Sequence, residues 1–130
     1  MLQCSVPVKN RRLDAISEVV GPDPKIRIFT EPFPPNVTDL PAGSLLVEIN
    51  LPEEWSNAAA DGEKSLRGMP IFGFAQESGK ANYFRIYDAE DVCHVQGTVS
   101  LSGQTGDLLL SAVDLVKGQQ VLIESFVIVD

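Results

Sequence analysis

The chain has 130 residues and a formal net charge of −8, with 44% hydrophobic and 22% charged residues. That length supports one core and leaves no room for a second, and the balance is that of a globular rather than a disordered protein. The acidity argues against a role in neutralising nucleic-acid phosphates. No apolar run approaches the roughly 20 residues of a membrane-spanning helix, and Cys4 and Cys93 are too few for a disulfide scaffold. Met1–Ser5 lacks the basic-then-apolar order of a secretory signal, so both cysteines are expected as free thiols in a reducing cytosol.

Charge is unevenly placed. The first 27 residues carry five cations (Lys9, Arg11, Arg12, Lys25, Arg27) against three acids, a net +2. Residues 28–130 carry the other five cations against fifteen acids, a net −10. The body is therefore strongly acidic and its leader slightly basic, which fits a leader that docks on an acidic partner.

Residues 8–20 form the one expected helix. Leu13, Ile16 and Val20 follow i, i+3, i+7 spacing, Gly21 is a natural C′ residue and Pro22 cannot continue the helix. Arg11 and Arg12 oppose the preference for acids in a helix's first turns, a hint of a partner. From residue 25 the period becomes two. Lys25–Thr30 alternates Ile26 and Ile28 against Arg27 and Phe29, and Pro32, Pro34 and Pro35 then impose a stiff, donor-poor loop. Ser44–Leu51 alternates again. Glu53–Glu63 reads as a polar loop with room for one helical turn, anchored by Trp55. Lys64–Ala75, broken by Gly68, Pro70 and Gly73, reads as one irregular strand or two short ones.

Glu77–Lys80 is expected as the turn of a hairpin that leads into Ala81–Asp88, where Asn82, Phe84 and Ile86 oppose Tyr83, Arg85 and Tyr87. Val92–Leu101, Asp107–Leu110 and Gln119–Val129 complete the strands, with Lys117-Gly118 as a turn before the last. Seven or eight short strands predict an all-β sandwich or barrel. The expected division is an N-terminal arm with a short helix over residues 1–24 and a β-sandwich over residues 25–130.

Catalytic chemistry is hard to find. The lone histidine, His94, adjoins Cys93, but neighbours on a strand point to opposite faces and cannot form a thiol–imidazole pair. Cys4, Cys93 and His94 lack zinc-ligand spacing. Asp88, Glu90 and Asp91 would suit a hard cation or paired catalytic carboxylates, yet they read better as a turn in which aspartate bonds local amides. Cys93 stands where an EF-hand loop needs glycine, and no P-loop or nucleophile elbow is present. The run Tyr83–Tyr87 reads as a cross-strand packing face rather than a base-stacking platform. Trp55, Tyr83 and Tyr87 read as core or oligomer-interface residues. The chain is expected to have no enzymatic activity and no cofactor or metal.

The order of segments carries a resemblance. Arg12-Leu13-Asp14-Ala15-Ile16 leads to Lys25-Ile26-Arg27-Ile28-Phe29-Thr30, a proline-bearing loop and Ala42-Gly43-Ser44-Leu45-Leu46. Then come Ala81–Asp88, Gln96-Gly97-Thr98-Val99, Asp107-Leu108-Leu109-Leu110, Gly118-Gln119-Gln120-Val121 and Ser125-Phe126-Val127-Ile128. From about Arg12 to Val129 the chain resembles a group of small virion proteins of tailed bacteriophages and prophages, the head cement or decoration proteins. The resemblance implies a jelly-roll-type antiparallel β-sandwich and a protein made in the host bacterial cytoplasm that binds the capsid exterior and stabilises contacts between coat subunits. It implies the major capsid (coat) protein as partner, together with a homo-oligomer (dimer or trimer) of the chain itself, and neither nucleic acid nor membrane. On this reading Arg11, Arg12, Pro32, Pro34 and Pro35 dock on the capsid, while Trp55, Tyr83 and Tyr87 join the copies. The alternative is a tail or baseplate structural protein, or a receptor-binding β-sandwich module, with the same lack of catalytic groups.

Overall fold

The structure, a computed structural model, describes residues 2–68 and 71–129. The chain begins with helix α1 (Val6–Val20). The helix starts two residues before the apolar spacing indicates, because Ser5 caps it: Ser5 Oγ accepts from the Val8 amide (3.4 Å), and Pro7 falls in the first turn, where no amide donor is needed. It ends where expected, at Gly21, whose positive φ of 76° turns the chain while its amide donates to the Ser17 carbonyl.

Ten strands follow among the described residues: β1 (Lys25–Phe29), β2 (Leu45–Asn50), β3 (Glu63–Ser65), β4 (Ile71–Phe74), β5 (Gly79–Lys80), β6 (Tyr83–Tyr87), β7 (Cys93–Leu101), β8 (Leu108–Leu110), β9 (Asp114–Leu115) and β10 (Gln120–Val129). Eight of them form one sheet in the order β2-β1-β6-β7-β8-β10-β3, with β4 also paired to β10, and β5 pairs with β9 separately. The protein is thus mostly β with one short helix, as its periodicity predicts. The sheet curls until its far ends meet. Gly73 of β4 lies against β2, where a Cβ would come within 2.7 Å of Ile49 Cγ1, and the Gln76 amide donates to the Leu46 carbonyl (2.8 Å).

Three details depart from the sequence reading. The sheet is mixed rather than wholly antiparallel, since β7 and β8 run parallel, Val99 facing Leu108 and Leu101 facing Leu110. A parallel connection normally needs a dozen or more residues. Here residues 102–107 suffice, because only three residues pair and the loop folds back on its own strand: Ser100 Oγ donates to the Thr105 carbonyl, and Asp107 Oδ2 accepts from the Thr98 amide and hydroxyl. Nor is Glu77–Lys80 the turn of a hairpin. Gly79 and Lys80 pair with Leu115 and Asp114, and Ser78 Oγ holds the Lys117 amide, so a distant segment captures this stretch. The Glu53–Glu63 loop has no helical turn. It is closed by bridges from Ser56 to Leu66 and from Ala60 to Glu63.

The main core lies inside the curl. Ile26, Ile28, Val47, Phe84, Ile86, Leu108, Leu110, Val121 and Ile123 are all but solvent-free, and Phe84 meets Phe126 edge-on at 5.0 Å. Val20 brings the end of the helix into this core, with Ile16 packed against it. Every residue of β6 is buried, although simple alternation predicts one wet face. The reason is a second layer over the outer face, described next.

Candidate functional site

The outer face of β1, β6 and β7 carries Phe29, Tyr83, Arg85, Tyr87 and Cys93, and the proline-bearing loop of residues 31–43 lies over it. Phe29 stacks on Tyr83 (5.0 Å, 13° between planes), and Phe33 from the loop meets the same ring at 5.4 Å. Arg85, only 1% exposed, works as a clasp. Its Nη1 donates to the Asp39 carbonyl (2.7 Å), its Nη2 to the Asn36 carbonyl (3.2 Å) and its Nε to Gln96 Oε1 (3.1 Å), and Gln96 Nε2 in turn donates to the Pro34 carbonyl (2.9 Å). A loop rich in proline is poor in donors and rich in carbonyls, which is the chemistry a five-donor guanidinium satisfies. The base of the loop is tied by the Thr30 amide to the Ser44 carbonyl and by the Ser44 amide to Thr30 Oγ1.

This arrangement sorts the expected docking residues. Pro32 and Pro35 are exposed on the loop, but Pro34 is buried, its carbonyl committed to Gln96. Phe33 and Leu40, which the sequence reading passed over, are the exposed apolar groups of the loop, Leu40 at 88%. The available signal was an arginine flanked by tyrosines on a central strand, together with a donor-poor loop that had to lie against something.

Arg11 and Arg12 are exposed on α1, with Arg12 Nη1 3.5 Å from Cys4 Sγ. Beside them Leu2, Val6, Val8 and Val19 are also exposed. The helix is held rigidly at several points. Asp14 Oδ1 accepts from Lys64 Nζ (2.9 Å) and from the Ala59 amide (2.8 Å), Asn10 Oδ1 accepts from the Gly62 amide (2.9 Å), and Trp55 Nε1 donates to the Gly21 carbonyl (3.0 Å). Lys64 is 3% exposed and spends a second bond on the Asn57 carbonyl. Its ammonium, with the Ala59 amide, holds the Asp14 carboxyl below its ordinary pKa. Arg12, Ile16, Val19, His94 and Val95 line a groove of about 250 Å³ between the helix and β7.

The acidic run is a built turn. Asp88 Oδ1 accepts from the Glu90 and Val92 amides, both at 2.9 Å, and Oδ2 lies 2.9 Å from His94 Nε2. The Val92 amide first, and His94 second, lower the Asp88 pKa. Asp91 Oδ1 lies 3.0 Å from both Lys25 Nζ and Arg27 Nη2, and Lys25 chiefly lowers its pKa. These carboxylates are thus engaged in closing the β6–β7 connection and pinning it to β1. A register shift sets Cys93 opposite Tyr87 and Val95 opposite Ile86, leaving His94 between them to reach Asp88. The Cys93 thiol instead joins the cluster of Phe29, Tyr83 and Tyr87, where burial raises its pKa. Among the described residues no three His, Cys, Asp or Glu side chains are grouped to hold a metal ion, and no helix is long and apolar enough to cross a membrane.

The residues expected at an oligomer contact lie inside the single chain. Trp55 (3% exposed), Tyr83 (0%) and Tyr87 (7%) are buried within the single chain, Trp55 under the end of α1, Tyr83 beneath Phe33 of the proline loop, and Tyr87 with the Arg27 guanidinium 4.4 Å from its ring centre. Their side chains are spent on the fold and present no surface to another copy. No family model, curated protein or solved structure matches the chain.

Proposed function

We propose that this chain is a phage capsid cement protein, which binds the outer surface of the coat shell and stabilises contacts between coat subunits. The observation that carries this reading is the clasped loop of residues 31–43. Arg85 and Gln96 fix its backbone from below, so Phe33, Leu40, Pro32 and Pro35 are presented in one preset arrangement. A loop ordered before binding loses little conformational entropy on docking, which favours a contact repeated many times on a shell. The basic face of α1, with Arg11 and Arg12 on a body at −10, adds attraction to an acidic coat surface. On this reading the curled sheet is a variant of the jelly-roll-type sandwich, and the protein acts by burying interface rather than by catalysis.

Purified protein mixed with undecorated heads is expected to bind saturably. Absence of saturable binding would overturn the proposal. Labelling intact virions separates a head position from the tail or baseplate.

A further inference from the structure

We infer that the groove between α1 and β7 is the socket for an extended segment of the coat protein that carries carboxylates beside aliphatic side chains. The identity of that partner rests on the capsid reading; the chemistry of the groove does not. Helix α1 already buries Leu13 and Val20 against the body. A surface helix with one apolar stripe buried is expected to be polar elsewhere. Here Val8, Arg12, Ala15 and Val19 recur at i, i+4, i+7 and i+11, which sets them in one row, and all four are exposed. Val8 is 46% and Val19 63% exposed. The later part of this row, with Ile16, lines the groove from the helix side, and His94 and Val95 line it from β7.

The lining selects the occupant. Ile16, Val19 and Val95 are aliphatic, and the volume of about 250 Å³ has room for a branched side chain. No carboxylate lines the groove, and Arg12 is its one permanent cation. Arg12 Nη1 lies 3.5 Å from Cys4 Sγ, and a guanidinium has five N–H donors, enough to take a carboxylate as well. Arg11 is exposed beside it. His94 is held in place by Asp88, Nε2 to Oδ2 at 2.9 Å, so its ring is a fixed wall. Val8 and Val19 stand about 16 Å apart along the helix, the length of about five extended residues. Such a segment turns alternate aliphatic side chains into the groove, while the long arginine stems reach the carboxylates between them. On a chain whose residues 28–130 carry −10, an acidic partner is repelled elsewhere and drawn to this face, which fixes the orientation of docking.

The test uses a probe peptide and undecorated heads. With acetyl-Glu-Leu-Asp-Val-Glu-amide added to the full chain, the amide resonances of Ile16, Val19, His94 and Val95 are expected to shift and saturate with a Kd of about 0.1–1 mM, ordinary for so small a contact. Acetyl-Lys-Leu-Lys-Val-Lys-amide keeps the aliphatic pair and acetyl-Glu-Ser-Asp-Ser-Glu-amide keeps the acids; each is expected to bind at least about 10-fold more weakly. On heads, Val19→Glu is expected to weaken binding at least about 10-fold, and Val19→Ile to preserve it. Circular dichroism checks that both variants are folded, and if Val19→Glu misfolds the peptide titration decides. No saturable shift at these amides, or equal binding of the three peptides, overturns the groove. Undiminished head binding by a folded Val19→Glu overturns the groove as the coat contact and leaves the capsid reading standing. Heads that do not bind the wild type overturn the capsid reading, and the coat as occupant with it, even where the peptide saturates the groove. A wild-type dimer in sedimentation velocity that Val19→Glu dissolves makes a second copy the occupant and likewise overturns the inference.

Discussion

The tie between Asp14 and Lys64 makes an asymmetric prediction. Lys64 is buried and Asp14 is not: their side chains are 2% and 46% exposed at a separation of 2.9 Å. In Asp14→Ala the Lys64 ammonium keeps only the Asn57 carbonyl, and the Ala59 amide loses its acceptor. Stripping one partner from a fully buried pair costs about 3–5 kcal/mol. The open side of Asp14 lets water replace part of the loss, so about 2–3 kcal/mol is expected, including about 1 kcal/mol for the Ala59 bond. In Lys64→Met the buried site receives an apolar chain of similar volume, while Asp14 keeps the Ala59 amide and its water. The expected cost is about 0–1 kcal/mol. Urea unfolding at pH 7 with an unchanged m-value measures both. A Lys64→Met variant as unstable as Asp14→Ala would refute the reasoning. The sign of the pH dependence follows from the same pair. The Asp14 carboxyl is held below its ordinary value of 3.8, so between that value and the lower folded one the unfolded chain binds more protons. The stabilisation is complete above the ordinary value and is lost as pH falls through the folded one, and in Lys64→Met this part of the acid dependence shrinks.

Arg85→Met should release the proline loop while the sheet persists. Chymotrypsin cleavage near Phe33 and Leu40 should accelerate, with a loss of about 1–3 kcal/mol in unfolding free energy from the charged hydrogen bonds; a loop that stays resistant would deny Arg85 its role as clasp. Gly73→Ala should destabilise by about 1–3 kcal/mol, because the added methyl meets Ile49 and Val47 across the closing curl. An unaltered melting temperature would mean that β4 and β2 do not press together there. Arg11→Glu with Arg12→Glu should weaken capture by undecorated heads and leave the fold intact, since both side chains are exposed; undiminished capture would remove them from the contact.

Much of the local structure was legible in the residues. The spacing of Leu13, Ile16 and Val20, with Gly21 after them, located the helix and its end, because both are set within a few turns of chain. Period-two alternation located β1, β2, β6, β7 and β10 to within one or two residues. Asp88 was readable as a turn-former for the same reason, its acceptors bonding amides two and four residues on. Trp55 was legible as an anchor, but not what it anchors: its partner, Gly21, lies 34 residues away.

What the chain determined by itself is what short-range sterics and alternation determine: a single acidic domain, mostly β, with one capped helix and turns at its glycines and aspartates. Pairing partners are not encoded in alternation, so only the tertiary structure decided that β8 runs parallel to β7, that Gly79–Lys80 pairs with Asp114–Leu115, and that His94, beside a register shift, reaches Asp88. Alternation also says that a face is apolar without saying what covers it. Tyr83, Arg85 and Tyr87 could have faced solvent, another copy or another part of the chain. They became interior because the carbonyls of a proline loop about 50 residues upstream of Arg85 found its guanidinium. Phe72 and Phe74, by contrast, stay outward on β4, the strand that meets β2 where the sheet closes.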